Sequence, residues 1–180
     1  MKKVFALALT AALALSMVAC GSSEPAAPEV TYKTGLGTVI TASVKDATEE
    51  AGSSAQINTT IVAATFDSND TIVSVDIDVA QQKAGFDLEG KAAGAVDLRT
   101  KIEKQGDYGM VGASAIGKEY FEQIDALEAW MTGKTLSEVM AMPTYERDAS
   151  HTACPDVEEL KASVSITVGD YLKAFAEATK

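Results

Sequence analysis

The 180-residue sequence is poor in histidine and cysteine, with one histidine and two cysteines. The single histidine, His151, and the absence of a Gly-x-Ser-x-Gly segment argue against a Ser-His-Asp hydrolase. His151 lies three residues before Cys154, but two ligands without a second pair make a poor zinc site. We therefore expect no metal site and no intrinsic catalysis.

Basic residues are also few in comparison with acidic ones. The chain has 15 Lys and Arg against 26 Asp and Glu, which gives a net charge of −11 and a sequence pI of about 4.5. Such a surface repels phosphate backbones and anionic lipid headgroups. The composition argues against a nucleic-acid partner, and contact with a membrane must come through an attached lipid.

The first nineteen residues have the pattern of a secretory signal peptide. Two lysines precede the apolar run Val4–Val18, which is shorter than the roughly 20 residues of a membrane span. Met17-Val18-Ala19-Cys20 resembles the lipobox of bacterial lipoproteins, with Met17 where leucine is usual. We predict lipid attachment at Cys20 and a protein held on the extracytoplasmic face of the cell membrane. A plain leader with an incidental Cys20 is the alternative.

Removal of this leader (residues 1–19) leaves roughly 160 residues, the size of one domain. Residues 20–33 are rich in Gly, Ser, Pro, Ala and Glu, and they predict a flexible stalk. Residues 34–180 then form the domain. With Cys20 acylated, Cys154 is the remaining cysteine, so an intramolecular disulfide is excluded and stability must come from packing.

Three β-rich segments follow the stalk, at Leu36–Val44, Ala55–Phe66 and Thr71–Val79. The last two flank Asp67-Ser68-Asn69-Asp70, which is typical of a tight turn, and so they predict an antiparallel hairpin. In the third segment the apolar side chains alternate with polar ones, which predicts a buried face made of Val73, Val75, Ile77 and Val79. Ala80–Gly94 and Asp97–Gly106 are interpreted as connecting segments.

The pattern becomes helical in the second half of the chain. Apolar residues at helical spacing predict an amphipathic helix from about Ala115 to Thr132, ended by Gly133. A capping box at 135–138 opens a short helix through Met142. The remaining predicted elements are a helix over 156–162, a β-rich segment over 163–168 and a helix over 169–178. Strands early and helices late predict an α+β fold, an antiparallel sheet with helices packed on one face.

Two segments resemble the bacterial FMN-binding domain family, in its small membrane-anchored lipoprotein form. The hairpin around residues 67–70 is similar to the one that opens that domain. Asp107-Tyr108-Gly109-Met110-Val111-Gly112-Ala113-Ser114, followed by a helix, is similar to the family's Asp-containing Ser/Thr-Gly-Ala-Thr segment. The resemblance extends from about Thr34 to Ala178. It implies FMN as a cofactor, a possible role in cell-surface electron transfer, and a flavin transferase or redox protein as partner.

This resemblance assigns cofactor binding to Asp107, Tyr108, Gly112, Ala113 and Ser114. In family members with covalent flavin, the last Thr of the segment takes FMN through a phosphoester bond, and Ser114 stands at that position here. The small residues allow close approach to a phosphate, and free N–H groups at the start of a helix after Ser114 would bind an anion. Tyr108, Tyr120 and Trp130 are candidates to flank the ring, although each is also a plausible core residue.

Other interpretations remain open. Gly112-Ala113-Ser114 is equally consistent with a simple helix N-cap. The domain could be a non-redox envelope module that binds a small molecule or a protein. A third interpretation is a precursor of a peptide pheromone released from the leader at Leu13–Ala19. A weaker echo of the hydroxyl segment occurs at Ser163-Val164-Ser165-Ile166-Thr167.

Overall fold

The computed structural model describes residues 31–180; the predicted leader, Cys20 and most of the stalk lie outside this range. A three-stranded antiparallel sheet has the order β1-β2-β3, and β4 and β5 pair in a short antiparallel ribbon. The strands are β1 Lys33–Lys45, β2 Ser54–Phe66, β3 Ile72–Gly85, β4 Thr144–Tyr145 and β5 Cys154–Pro155. The α-helices are α1 Lys101–Lys104, α2 Tyr120–Met131, α3 Leu136–Met140 and α4 Gly169–Glu177, with 3-10 turns at Gln105–Tyr108 and Glu158–Leu160.

The predicted turn between β2 and β3 is confirmed. The Asp67 carboxylate accepts hydrogen bonds from the amides of Asn69 and Thr71, at 2.8 and 2.9 Å. Asp70 takes a left-handed conformation with φ of 59°, which Asp tolerates better than most residues. These local bonds fix the hairpin at the position that the sequence indicates.

The predicted buried face of β3 is wrong at one residue, because a β-bulge interrupts the alternation. Thr65 pairs with Ser74 while Phe66 pairs with Ile72, so Val73 has no partner in the ladder. An extra residue reverses the side-chain alternation beyond it. Ile72 is therefore 1% exposed and Val73 is 45% exposed. The strand also continues to Gly85, through residues expected to form a connection.

Helix α4 lies directly on β1 through two glycines. A Cβ atom at Gly35 would lie 1.7 Å from the Ala178 carbonyl oxygen, and one at Gly37 would lie 1.8 Å from that of Ala174. Phe175 of this helix is fully buried, with its ring centroid 5.7 Å from that of Phe66. The glycines thus allow the helix backbone to approach the sheet closely, as glycine does at other tight crossings.

Helix α2 begins at Tyr120, five residues later than predicted. Gly117 has φ of 65°, which the right-handed helix does not allow. Residues 110–118 form successive turns instead, and the helix opens where the Glu119 amide donates to the Glu122 carboxylate at 2.8 Å. The predicted end of the helix is confirmed, because Thr132 is extended and Gly133 has φ of 83°.

The shorter predicted elements have mixed outcomes. The capping box at Thr135 is present and opens α3, which ends at Met140. The segment predicted as a helix over 156–162 contains a single 3-10 turn, and the β-rich segment 163–168 forms no strand. The segment expected to be a connection over 97–106 contains α1.

The fold class is α+β, as predicted from the order of strands and helices. The packed face of the sheet carries buried Val62, Ala64, Val75, Ile77 and Val79, against which α2 and α4 place Ile124, Leu127 and Phe175. The other face exposes Leu36, Ile40 and Val44 of β1. Within residues 31–180, no helix is long and apolar enough to cross a membrane.

Candidate functional site: a tyrosine-lined groove

The residues assigned by the family resemblance do not all lie together. The Asp107 carboxylate is exposed and pairs with the Arg99 guanidinium at 2.9 Å. Gly112 is exposed, and a Cβ atom added there would have nothing within 4 Å. Tyr108 and Ser114 line neighbouring cavities, described below, and Ala113 lies beside Ser114. The assigned segment therefore contributes one side of a site, and Asp107 and Gly112 are outside it.

The expectation of free helix amides after Ser114 is wrong, because no helix begins there. The amides of Ala113 and Ser114 donate to the Met110 carbonyl at 2.9 and 2.8 Å. The amides of Ile116 and Lys118 donate to the Ser114 hydroxyl, both at 3.3 Å. Ser114 thus closes a turn, and these backbone donors are already used by the protein.

Two further amides of this segment bind an anion that belongs to the protein itself. The Glu119 carboxylate accepts hydrogen bonds from the amides of Met110 and Val111, at 2.9 and 3.2 Å. Glu119 is only 8% exposed. A carboxylate that accepts several amide bonds is well compensated in a buried position. A ligand phosphate at these amides would have to displace it.

The two hydroxyl-rich segments of the sequence meet at one buried glutamine. Gln123 is fully buried, and its Nε2 donates to the Ser114 hydroxyl at 3.1 Å. Its Oε1 accepts the Ser165 amide at 2.8 Å. One side chain of α2 therefore joins residues 114 and 165, which lie far apart in sequence.

A groove runs along this junction, and we call it the tyrosine groove. It consists of three adjoining cavities of about 140, 200 and 120 Å³. The first two share Lys101, Thr167 and Tyr171, and the last two share Met110, His151 and Ile166. None alone reaches the roughly 300 Å³ of a small-molecule pocket, and the shared side chains place the three cavities next to one another.

The middle of the groove is aromatic and carries a cation. The rings of Tyr108 and Tyr120 meet edge to face with centroids 5.6 Å apart. The Lys101 ammonium lies 5.0 Å from the Tyr108 ring centroid and 4.8 Å from that of Tyr120. Both distances are within the range of cation–π attraction. Trp130 lies elsewhere, half-buried against the core with the Lys134 ammonium 4.7 Å from its ring.

The Tyr120 hydroxyl is the notable polar group of this cluster. Tyr120 is 1% exposed, and within residues 31–180 its hydroxyl oxygen has no partner with hydrogen-bond geometry. Burial, and then the neighbouring Tyr171 hydroxyl, raises the pKa of Tyr120 far above its usual value. Burial likewise raises the pKa of Tyr171. Both phenols are therefore neutral donors, and leaving one unpaired costs about 1–3 kcal/mol.

The end of the groove near Ser114 carries Arg147 and His151, which share the carboxylate of Asp148. Arg147 donates through Nη1 to the Ser165 carbonyl at 2.9 Å and through Nε to the Asp148 carboxylate at 3.2 Å. His151 contacts the same carboxylate through Nδ1 at 2.7 Å. The His151 contact is the main cause that lowers the pKa of Asp148 to about 2. The three side chains form a fixed cluster whose guanidinium and imidazole line the cavity with Ser114.

Larger cavities lie away from the tyrosine groove and have a different character. The cavity between β3 and α2 has a volume of about 490 Å³ and is lined by carboxylates of Asp76, Asp78, Asp125 and Glu128 above an apolar floor. A second, of about 450 Å³, lies where Lys33 meets the end of α4. The carboxylates make the first cavity unfavourable for an anion. In the described part of the chain, no group of three or more His, Cys, Asp or Glu side chains is arranged to hold a metal ion.

Sequence reasoning missed several groups that line or hold the groove. Lys101, Gln123 and Arg147 come from three separate elements or loops. Each is an ordinary polar residue in its local pattern. The one available signal was the repeated hydroxyl segment at residues 163–167, which lies beside Ser114 in the fold.

No family model and no solved structure match the chain. A chlorophenol reductase of Desulfitobacterium hafniense is 30% identical over 119 aligned residues, which cover 58% of this chain and 36% of that protein. The similarity is to a part of the reductase. The chain spans little more than a third of the relative's length, so the relative's activity does not transfer to it as a whole.

Proposed function

We propose that this protein is an extracytoplasmic, lipid-anchored domain that binds a flavin, FMN, in the tyrosine groove. The observation that carries the proposal is the composition of the groove in a chain of net charge −11. Lys101 and Arg147 line adjoining cavities together with the His151 imidazole and three tyrosines. A planar aromatic ligand with an anionic tail matches this combination of ring faces and cations.

The groove provides separate surroundings for the two parts of such a ligand. The rings of Tyr108, Tyr120 and Tyr171 surround the middle cavity, which suits an isoalloxazine ring. Arg147 and His151 line the end beside Ser114, which suits a phosphate. We therefore place the phosphate at the Arg147 guanidinium and not at backbone amides, because the Glu119 carboxylate already binds the amides of Met110 and Val111.

The Tyr120 hydroxyl supports the fit of a flavin in the groove. Within residues 31–180 this buried donor has the Tyr171 hydroxyl nearby but no partner with hydrogen-bond geometry, and a flavin ring carries carbonyl acceptors on one edge. A bound flavin supplies electron and hydride transfer, chemistry that the amino-acid side chains lack. The similar protein is a chlorophenol reductase, whose name denotes a reduction, and this favours a redox role over simple ligand storage.

The experiment compares FMN with riboflavin, which lacks the phosphate. We expect the purified domain to bind both, and FMN more tightly. The variant Arg147→Met should weaken FMN binding about tenfold, the size of one charge-assisted hydrogen bond, and leave riboflavin binding unchanged. Flavin fluorescence titration measures both affinities.

Arg99→Met is the matched control, because Arg99 pairs with Asp97 and Asp107 on the exposed surface. It should leave both affinities at the wild-type value. Failure of the wild-type protein to bind either flavin would overturn the proposal. Intact mass after co-expression with a flavin transferase tests covalent attachment, for which Ser114 is the candidate atom.

A second candidate function is a non-redox envelope module with the same fold. The buried Glu119 carboxylate favours it, because this side chain already binds the Met110 and Val111 amides of the segment that the family resemblance assigns to the flavin. In that case the groove holds a different aromatic anion. This alternative would be supported by a colourless protein that takes up no flavin but binds an aromatic carboxylate, provided that substitution of Arg147 weakens this binding.

A further inference from the structure

Lys101 has an unusual position for a cation in an acidic protein. Its ammonium lies over the faces of Tyr108 and Tyr120. Within residues 31–180, no carboxylate oxygen lies within 4 Å of it, whereas the neighbouring Lys104 pairs with Asp97 at 3.8 Å. Because the Lys101 ammonium contacts two ring faces and not a carboxylate, its charge remains available to a ligand in the cleft.

Lys101 also separates the groove into two parts. It lines both the cavity that contains Gln81 and the one that contains Tyr108. Its side chain is long and flexible, so it can turn from the ring faces toward a ligand that enters either cavity. Such a movement removes the ammonium from the face of the Tyr120 ring, which lines the same cavity.

We infer that Lys101 is the residue that recognises the carbonyl-bearing edge of the ligand's ring, with the Tyr120 hydroxyl as the second donor. This inference rests on the proposed function and adds a specificity-determining residue to it. The ammonium exchanges two cation–π contacts for a hydrogen bond to a carbonyl oxygen. Arg147, which lines the adjoining cavity with Ser114, serves the phosphate.

The roles assigned to Arg147 and Lys101 predict different effects on the binding of FMN and riboflavin. The variant Lys101→Met keeps the length of the side chain and removes its charge. We expect it to weaken FMN and riboflavin by the same factor, about tenfold, because both ligands have the same ring. Lys101→Arg should retain most of the affinity for both. Fluorescence titration of the full domain measures the dissociation constants of the wild type and of both variants for each flavin.

The potential of the bound flavin provides a second measurement. Reduction places more negative charge on the ring, and a nearby cation favours the more negative form. Loss of the Lys101 charge should therefore make the midpoint potential of bound riboflavin more negative, and Lys101→Arg should restore it. A lysine with a purely structural role would leave this potential unchanged.

Lys134→Met is the matched control, because the Lys134 ammonium also lies over an aromatic ring but outside the groove. It should change neither affinity nor potential. Unchanged riboflavin binding in Lys101→Met, or a loss confined to FMN, would overturn this inference and leave the proposed function standing. Absence of flavin binding in the wild-type protein would overturn both.

Discussion

The Glu128 carboxylate binds the backbone of β3, and its surroundings disfavour the negative charge of this group. Its Oε1 accepts the Ile77 amide at 2.6 Å. Burial raises the pKa of Glu128 to about 7, and the nearby charges of Asp76, Asp125 and Asp78 act in the same direction. The unfolded chain has the ordinary value of 4.5. Between these two values the native protein binds a proton that the unfolded chain does not.

The sign of the pH dependence follows from this difference. This group's contribution to the free energy of unfolding is greatest below about pH 4.5 and falls as the pH rises to about 7. The variant Glu128→Gln keeps an oxygen acceptor for Ile77 and removes the titration. We expect its stability to decline less than that of wild type across this window, as measured by urea unfolding at a series of pH values.

Glu159→Gln is the control for this measurement, because Glu159 is exposed in the 3-10 turn after β5. Its profile should run parallel to wild type. Asp148 affects stability in a different pH range. Its pKa is lowered to about 2, so its contribution to the free energy of unfolding is lost only as the pH falls toward that value. A wild-type slope that survives in Glu128→Gln would contradict the assignment.

At the scale of single residues, the sequence predicted part of the groove and missed the rest for a physical reason. Tyr108 and Ser114 lie in one continuous motif, so a local pattern could indicate them. Lys101, Arg147 and Gln123 reach the groove only through tertiary contacts between distant segments. No periodicity or capping signal marks a residue whose neighbours come from elsewhere in the chain.

The packing of α4 on β1 is the element-level feature that most constrains the fold. Gly35 and Gly37 face carbonyl oxygens of the helix backbone, which has no flexible side chain to move aside. A methyl group at Gly37 must therefore push α4 away from the sheet. Phe175, buried against Phe66, would lose contacts as a result.

We expect Gly37→Ala to lower the free energy of unfolding by about 3 kcal/mol, the upper part of the range for overpacking in a core. Urea denaturation of the domain measures the loss. Gly112→Ala is the matched control, since a Cβ atom there meets nothing within 4 Å, and it should change stability by less than about 0.5 kcal/mol. It should also leave flavin affinity unchanged; a marked loss of binding in Gly112→Ala would instead place the phosphate at that backbone.

Helices and strands were predictable where the local pattern was strong. A β-rich run indicated β2, alternation indicated most of β3, and the capping box fixed the start of α3. The same rules did not predict the bulge at Val73 or the left-handed Gly117, because no periodic pattern marks a single inserted or left-handed residue. The misplaced start of α2 then produced the wrong expectation of free amides after Ser114.

At the scale of the whole molecule, the predicted lipid decides where the domain works. The net charge of −11 gives no attraction to anionic headgroups. Acyl chains on Cys20 would supply the membrane affinity instead, at about 0.8 kcal/mol for each buried methylene.

We expect Cys20→Ala, expressed from the full-length chain in a bacterial host, to incorporate no labelled palmitate and to leave the membrane fraction. Cys154→Ala is the control with the other cysteine removed. That thiol is buried and donates to the Ser165 carbonyl at 3.3 Å, so its loss should not affect labelling. A wild-type chain that incorporates no palmitate would show that the leader is of the ordinary secretory type, and palmitate retained by Cys20→Ala would place the lipid on another residue.

The position of the groove along the sheet has a consequence for access. The chain enters the sheet at Lys33, opposite Phe66, while the groove touches β2 at Asn58 and Thr60. Each strand residue advances about 3.3 Å, so about 20 Å of β2 lies between the entry point and the groove. The sheet thus separates the junction with the proposed stalk from the tyrosine groove, so a partner that binds at the groove would not have to approach along the stalk.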